Sequence, residues 1–307
     1  MYREAKIFLD RILYCLVAIK LSRGFLQAQP YSELGIPNTK NYLPKEYKGH
    51  PQVFGIAQDT SGFVYFTGNG IIEYDGEIWK KIPPLGADTW SIILGNDKQI
   101  YVGATDDLGY LKADSLGQQK FVSLLPLLPK HQRNFGQLRQ IAILGNAIYF
   151  ASRTTGYLIQ YNYTQRKVKV WKREKDITIL GIVDNELYLS ISDVGLCKLI
   201  GNEIKPLAEE SKFANSSLVS VLPCENEKLL ICTKSKGFFL YHKDKVIPFK
   251  TEADELLSNK VYFAKLLPNE TFLISIIGKG VIVVDKFGKW IQPVSYTHLT
   301  LPTICSV

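Results

Sequence analysis

Short runs of apolar residues, separated by polar turns, recur along the chain from Gln52 to Trp290. The runs are rich in β-branched and aromatic side chains and are bounded by Gly, Asp or Asn, which is typical of β-strands. Six of them precede a recurring glycine: Val64–Phe66, Ile100–Val102, Ile148–Phe150, Leu187–Leu189, Leu229–Ile231 and Phe272–Ile274. Another apolar run follows each glycine, and a turn such as Asp75–Gly76 leads to a last strand. The repeating unit is therefore predicted to be a small sheet.

The recurring glycines set the period of this unit. They are spaced by 39, 47, 39, 42 and 43 residues and are Gly70, Gly109, Gly156, Gly195, Gly237 and Gly280. Strand repeats of roughly 40 to 50 residues are typical of the blades of a β-propeller. No interval shows the apolar spacing and caps of a helix, which argues against helical repeats. We expect each glycine to mark a turn or a close strand crossing.

A blade has two apolar faces, and it can bury them only against neighbouring blades. The sequence therefore predicts an all-β fold, a β-propeller over residues 52–293 with six blades visible. Its apolar content of 46% suits one sizeable globular domain.

The end of the chain carries a string that departs from the repeat. Residues 294–303 read VSYTHLTLPT, which matches the translation of a transposon adapter used to prepare sequencing libraries. We interpret residues 294–307 as an artefact, with an ordinary C-terminal strand as the alternative. The natural propeller would then continue beyond Pro293. We therefore expect an incomplete, open ring of a seven-bladed propeller.

The start of the chain resembles a secretory leader. Basic residues precede the apolar run Ile12–Ile19, and the small residue Ala28 closes the segment. Lys20 and Arg23 interrupt this pattern, so an amphipathic N-terminal helix or anchor is the alternative. The apolar run is much shorter than the roughly 20 residues of a membrane span. We assign residues 1–28 to a signal peptide or N-terminal anchor and residues 29–51 to a lead-in segment.

The net charge of +8 does not indicate a nucleic-acid surface, because it is dispersed. The leader accounts for +3 of it, and the remainder is scattered. The densest basic cluster, Arg166–Arg173, alternates charged residues with Val168 and Val170. This alternation predicts an exposed outer strand whose charges prevent edge pairing, rather than a polyanion site. We expect no direct binding of nucleic acid by this region.

Motifs that carry chemistry are missing from the sequence. The five cysteines include no CxxC pair, the four histidines lack metal-ligand spacing, and neither a P-loop nor a GxSxG motif occurs. The acidic pairs Asp106–Asp107 and Glu209–Glu210 each adjoin a predicted turn, so we interpret them as solvated turns rather than as acid/base pairs. No catalytic residue, metal ligand or cofactor is expected.

Candidate ligand-binding residues lie near the start of the presumed inner strands. Gln52, Trp90 and Arg139 stand at less regular positions of the repeat and could line the central opening. The tyrosines that recur at one point of the repeat are interpreted as packing between blades: Tyr65, Tyr101, Tyr149 and Tyr188.

Several short motifs together resemble the two-component regulator propellers, which are sensor regions of bacterial signalling proteins. The lead-in segment and the first blade supply Asn41–Tyr47, His50–Gln52, Ala57–Asp59, Gly62, Tyr65–Phe66, Gly70, Glu73–Gly76 and Trp79. The next part continues the likeness with Ile100–Ala104, Leu108–Leu111, Phe121–Leu125 and Arg133–Gly136. The resemblance covers about residues 39–293 and is strongest up to Phe150.

This resemblance implies a periplasmic propeller that belongs to an inner-membrane protein and binds an unknown small molecule or glycan. It also implies a triple-tyrosine module, a transmembrane helix and an output domain such as a histidine kinase after the propeller. We expect a homodimer as the assembly. The alternatives are a propeller enzyme, such as a lyase or a quinone-dependent dehydrogenase, and a structural interaction scaffold.

Overall fold

A computed structural model describes Lys40 and residues 42–82, 88–152, 154–207, 213, 217–225, 227–243, 245–258 and 261–294. The chain divides into two compact units, Met1–Tyr42 and Leu43–Val307, and every helix and strand given below belongs to the second. The predicted leader, residues 1–28, and the tail after Val294 lie outside the described residues. Val294 itself pairs with Val281 as the last residue of its strand.

Within the described ranges, 24 strands form six four-stranded antiparallel sheets, called blades 1 to 6 here. Blade 1 consists of β1 (Gly55–Gln58), β2 (Val64–Gly68), β3 (Gly70–Tyr74) and β4 (Trp79–Ile82). Blade 2 consists of β5 (Thr89–Leu94), β6 (Ile100–Ala104), β7 (Leu108–Ala113) and β8 (Gln119–Ser123). Blade 3 consists of β9 (Leu138–Leu144), β10 (Ala147–Ser152), β11 (Tyr157–Asn162) and β12 (Lys167–Lys172).

The second half repeats this arrangement. Blade 4 consists of β13 (Ile177–Val183), β14 (Glu186–Ile191), β15 (Gly195–Ile200) and β16 (Glu203–Pro206). Blade 5 consists of β17 (Leu218–Cys224), β18 (Lys228–Thr233), β19 (Phe238–His242) and β20 (Lys245–Phe249). Blade 6 consists of β21 (Val261–Leu266), β22 (Phe272–Ile276), β23 (Gly280–Val284) and β24 (Trp290–Val294). The prediction of an all-β fold with six visible blades is confirmed.

The helical elements are short. Single-turn α-helices are α1 (Pro44–Tyr47), before blade 1, and α2 (Asp254–Leu257), between blades 5 and 6. Two 3-10 turns, Leu125–Leu127 and Lys130–Gln132, lie between blades 2 and 3. In every blade the strands pair in chain order, and the first strands of consecutive blades contact each other from β1 to β21.

Apolar side chains bury both faces of the inner blades. Five clusters of buried residues each join two consecutive blades, from blades 1 and 2 to blades 5 and 6. Between blades 2 and 3, for example, Tyr101 and Leu108 pack with Ile148, Phe150 and Ile159, and all five are fully buried. Each such side chain contributes roughly 1.5–3 kcal/mol when it is removed from water. Stacking of the blades therefore provides the core.

The recurring glycines lie at or next to the start of the third strand of each blade. All except Gly109 have positive φ, between 67° and 96°, a conformation that L-residues with a side chain rarely adopt. At Gly109 the backbones of neighbouring strands instead approach closely, because a Cβ there would lie 2.2 Å from the carbonyl oxygen of Val122. The repeat is thus marked by glycine for two different physical reasons.

The basic cluster of the sequence forms an outer strand. Strand β12 is the outermost strand of blade 3, and Val168 and Val170 pack on the buried cluster between blades 2 and 3. Lys169 lies over the ring of Trp171, with 4.8 Å from Nζ to the ring centroid, and Lys172 lies over Tyr157 at 4.9 Å. The prediction of a charged outer strand is confirmed.

Side chains on one first strand bind the free edge of the next first strand. The Ser91 hydroxyl donates to the Leu138 carbonyl at 2.8 Å, and the amide N–H of Ala264 donates to Ser220 Oγ at 3.3 Å. Gln140 makes two such bonds: its Nε2 donates to the Ile179 carbonyl at 3.0 Å, and the Ile179 N–H donates to its Oε1 at 2.7 Å. These inner-edge hydrogen bonds pair backbone groups that have no strand partner on that side.

The two terminal blades keep apolar side chains in solvent on their first strands. Ile56 of β1 is 63% exposed and Phe263 of β21 is 45% exposed. Exposed apolar faces are those that a further blade would cover in a longer array. The open ring itself remains a prediction.

The recurring tyrosines are buried between blades, and three of them donate their hydroxyls to carboxylates. Tyr101 donates to Asp97 at 2.7 Å, and Tyr65 donates to Asp59 at 3.0 Å. Tyr188 lies 3.1 Å from a Glu186 oxygen in the same way. Burial, and secondly the neighbouring carboxylates, raise the pKa of these three hydroxyls above the ordinary value of 10.0. The packing interpretation of these rings is confirmed.

Replacing Tyr101 with phenylalanine is expected to reduce the loss of stability at alkaline pH. The unfolded chain ionises this tyrosine near pH 10 while the folded chain keeps it protonated. Its contribution is therefore complete below about pH 10 and falls above it, by up to about 1.4 kcal/mol per pH unit. Urea unfolding from about pH 8 to about pH 11.5 should show a shallower decline for Tyr101→Phe than for the parent. Parallel declines above about pH 10 would contradict the prediction.

Candidate functional site

Two of the three candidate residues occupy equivalent positions in neighbouring blades. Trp90 is the second residue of β5, and Arg139 is the second residue of β9. The register skips both of them: in blade 2 Thr89 pairs with Ala104 and Ser91 with Gly103, so Trp90 has no partner on β6. In blade 3 the same irregularity leaves out Arg139. Such bulges re-aim a side chain away from the regular alternation of a strand.

The two side chains meet across the blade boundary. The Arg139 guanidinium carbon lies 4.2 Å from the centroid of the Trp90 ring, and Trp90 is also packed against Phe54, with 4.4 Å between ring centroids. Trp90 is only 8% exposed, whereas Arg139 is exposed. A guanidinium over an indole face is attracted by the ring quadrupole, by about 0.5–2 kcal/mol. Phe54, Trp90 and Arg139 form what we call the inner stack.

Hydrogen bonds fix the orientation of the inner stack. The Trp90 indole N–H donates to Thr105 Oγ1 at 2.8 Å, and Arg139 Nε donates to Gln137 Oε1 at 2.9 Å. Thr105 and Gln137 are themselves joined by an isolated antiparallel bridge. The turn after β6 therefore holds the segment that leads into β9.

The acidic pair Asp106–Asp107 at this turn has a structural role. Asp106 Oδ1 accepts the Gly136 N–H at 2.6 Å, and the Asp106 N–H donates to the Gly136 carbonyl at 3.0 Å. Asp107 Oδ1 accepts from the Ser123 hydroxyl at 2.6 Å, and burial raises the pKa of Asp107. The interpretation of Asp106–Asp107 as a solvated turn is wrong in this respect, because both carboxylates are partly buried and hydrogen-bonded. Glu209–Glu210 lies outside the described residues.

The structure does not bring the Gln52 side chain into the inner stack. Gln52 is exposed, and its backbone N–H donates to His50 Nδ1 at 3.0 Å. Phe54, rather than Gln52, packs on the Trp90 ring. The spacing of the sequence could have indicated Phe54, because it precedes Tyr65 by 11 residues, just as Trp90 precedes Tyr101 by 11 residues. A ligand-binding role for Gln52, Trp90 and Arg139 remains a prediction.

Two cavities lie elsewhere, near the hairpins that follow the first strands. One, of about 320 Å³, lies between blades 1 and 2 beside Asp59 and Tyr65. The other, of about 210 Å³, lies between blades 2 and 3 beside Tyr101, Tyr161 and Arg166. None of the candidate residues lines either cavity.

In the part of the chain that the structure describes, no three His, Cys, Asp or Glu residues are grouped so as to hold a metal ion. Of the described cysteines, Cys224 and Cys232 are free, and burial raises the pKa of the Cys232 thiol. No helix among the described residues has the length and apolar character needed to cross a membrane.

Comparison with known proteins supports the architecture. The amino-acid sequence matches no protein-family model and no curated protein. A similar solved structure is the extracellular domain of the hybrid two component system BT3049 from B. thetaiotaomicron, with 16% identity and a TM-score of 0.59. The alignment covers 80% of this chain and 35% of that one, so the present chain spans about a third of its length.

Two further structures share the fold. YCF48 bound to D1 peptide has 11% identity and a TM-score of 0.57, over 83% of this chain and 87% of that one. A streptogramin B lyase has 14% identity and a TM-score of 0.55, over 78% of this chain and 81% of that one. At these identities the likeness shows the fold alone. The chain is a β-propeller of four-stranded blades, a fold that it shares with the extracellular domain of a bacterial two component system.

Proposed function

We propose that this chain is the extracytoplasmic ligand-sensing propeller of a longer transmembrane signalling protein. The observation that carries the proposal is the inner stack, an exposed guanidinium held on a buried indole where the first strands of three blades meet. Conformationally fixed aromatic and charged groups are those that a recognition site needs. The sequence motifs of blades 1 and 2, and the fold shared with the extracellular domain of a two component system, support the same function.

The ligand would be a small solute or a glycan, and binding would act by differential affinity. A ligand shifts an equilibrium between two states of a protein or dimer only if it binds one state more tightly. The side chains of the inner stack contact one another across blades 1, 2 and 3, so a ligand placed there would bias how these blades pack. The triple-tyrosine module, the membrane helix and the output domain would follow the propeller and transmit that bias.

The uninterrupted gene downstream of Pro293 provides the direct test. We expect its codons to continue with further propeller strands and then to encode a membrane span and an output domain. We also expect the codons for residues 294–303 in the present sequence to spell the adapter. A natural gene that ends soon after the propeller, without a membrane span, would contradict the proposal.

Export can be tested separately with residues 1–51 fused to a reporter enzyme that is active only outside the cytoplasm. We expect activity from this fusion and none from a fusion that starts at residue 29. Equal activity from both fusions, or none from either, would contradict export through the leader.

A further inference from the structure

The bulges of the first strands carry one positive charge and no negative one. The residues left without a partner on the second strand are Trp90, Arg139, Leu180, Val219 and Tyr262. Arg139 is the cation of this set. No ion pair of Arg139 occurs among the described residues, so no carboxylate in that part of the chain neutralises its charge.

The guanidinium of Arg139 is held from two sides. Its face lies on Trp90 at 4.2 Å, and its Nε donates to Gln137 at 2.9 Å. The two terminal nitrogens donate to no group in the described part of the chain. Two parallel N–H groups at the end of a fixed guanidinium match the two oxygens of a carboxylate. Because the side chain is already ordered, a ligand loses less affinity to the ordering of this group.

The surroundings of Arg139 favour an organic anion over an inorganic one. Trp90 holds the guanidinium from beneath, and the half-buried ring of Phe54, packed against Trp90, offers apolar surface to the body of a ligand. A free sulfate or phosphate ion would gain nothing from this ring, whereas a flat or ring-shaped carboxylate would pack on it. We propose that Arg139, Trp90 and Phe54 form a carboxylate-binding subsite, and that the ligand of this propeller bears a carboxylate attached to a ring or other flat group. This inference rests on the proposed sensing function and specifies the ligand's chemistry.

Benzoate and benzamide form a matched pair of probes, since they differ only in charge and in one heavy atom. We expect benzoate to shift the Trp90 indole N–H resonance of the ¹⁵N-labelled chain in the millimolar range, and benzamide to bind roughly tenfold more weakly or not at all. A Trp90→Phe protein identifies the resonance by its loss. Sodium sulfate at equal ionic strength serves as the inorganic anion and should produce no saturable shift.

Variants of Arg139 and Arg173 distinguish a specific contact with Arg139 from a general effect of the protein's positive charge on benzoate binding. Arg139→Gln should abolish the preference for benzoate, and Arg139→Lys should retain only a small part of it because an ammonium lacks the planar pair of donors. Arg173→Gln removes the same charge from an exposed arginine just after β12 and should bind benzoate like the parent. Equal loss in the Arg139→Gln and Arg173→Gln proteins, equal binding of both probes, or a sulfate shift as large as that of benzoate would each overturn the proposal.

Failure of the subsite and failure of the sensing function give different results. If benzoate binds through Arg139 but the gene encodes no membrane span, the subsite stands and the sensing function does not. If the gene encodes a sensor but the Arg139→Gln protein binds benzoate unchanged, the sensing function stands and the carboxylate assignment is wrong.

Discussion

Replacing Gly156 with alanine is expected to lower the free energy of unfolding by about 2–5 kcal/mol. Two costs add at this residue. Its φ of +67° disfavours any side chain by roughly 1–2 kcal/mol. Its Cβ would also lie 2.2 Å from the Arg173 carbonyl oxygen and 2.6 Å from that of Lys175, and both are backbone atoms. Displacing this segment disrupts the hydrogen bond from the Arg173 N–H to the Gly156 carbonyl, which adds about 1–3 kcal/mol.

Gly237 provides the matched control for this substitution, because it holds the same place in blade 5. Its φ is +77°, and no atom lies within 4 Å of the position a Cβ would take. Gly237→Ala should therefore show the backbone cost alone, about 1–2 kcal/mol. Urea unfolding followed by circular dichroism measures both variants. If the two substitutions cost the same, steric contact at Gly156 is not what requires glycine there.

Replacing Gln140 with leucine is expected to lower the free energy of unfolding by about 2–6 kcal/mol. Leucine has nearly the same size but leaves the N–H and the carbonyl of Ile179 without their partners, and each buried unpaired group costs about 1–3 kcal/mol. Ile179 is 8% exposed, so water reaches these groups poorly. The loss of stability is expected at the boundary between blades 3 and 4, because the two hydrogen bonds of Gln140 cross that boundary.

Gln118 offers the control for this second substitution. It is exposed, and its side chain makes no hydrogen bond among the described residues. Gln118→Leu should change the free energy of unfolding by no more than about 0.5 kcal/mol. A Gln140→Leu protein as stable as the Gln118→Leu protein would show that the inner-edge hydrogen bonds contribute nothing net to stability.

The expected losses of stability at Gly156 and Gln140 are local, because each blade of the propeller contacts its neighbouring blades. The clusters and hydrogen bonds that stabilise the fold connect consecutive blades, so the loss of one contact weakens one boundary. The inner stack crosses two of these boundaries, between blades 1 and 2 and between blades 2 and 3. A ligand on Arg139 and Phe54 would therefore reach both.

Much of the fold could be predicted because its cause is local. A run such as Val64–Phe66 favours an extended strand by its own side chains, and the glycine that follows permits the turn. Trp90 and Arg139 could be selected because both stand at the start of an apolar run outside the regular alternation. The same argument predicts Gln52, but the structure places Phe54 rather than Gln52 on the Trp90 ring.

The remaining features depend on residues far apart in the chain. Arg139 meets Trp90 across 49 positions, and Gln140 meets Ile179 across 39. A bulge changes which side chains reach the next blade, and the apolar periodicity of a strand does not show where a bulge falls. The same reason explains Asp106 and Asp107, whose partners Gly136 and Ser123 are contributed by other segments.

The sequence by itself determined the repeat, its period, the positions of its glycines and the all-β class, because strand and turn preferences act between residues close in the chain. Only the tertiary structure decided which side chains meet. Contacts between blades depend on how twisted sheets stack and on where the first strands bulge. For this reason the strands could be predicted from their residues, whereas the contacts of the inner stack depend on how three blades pack against each other.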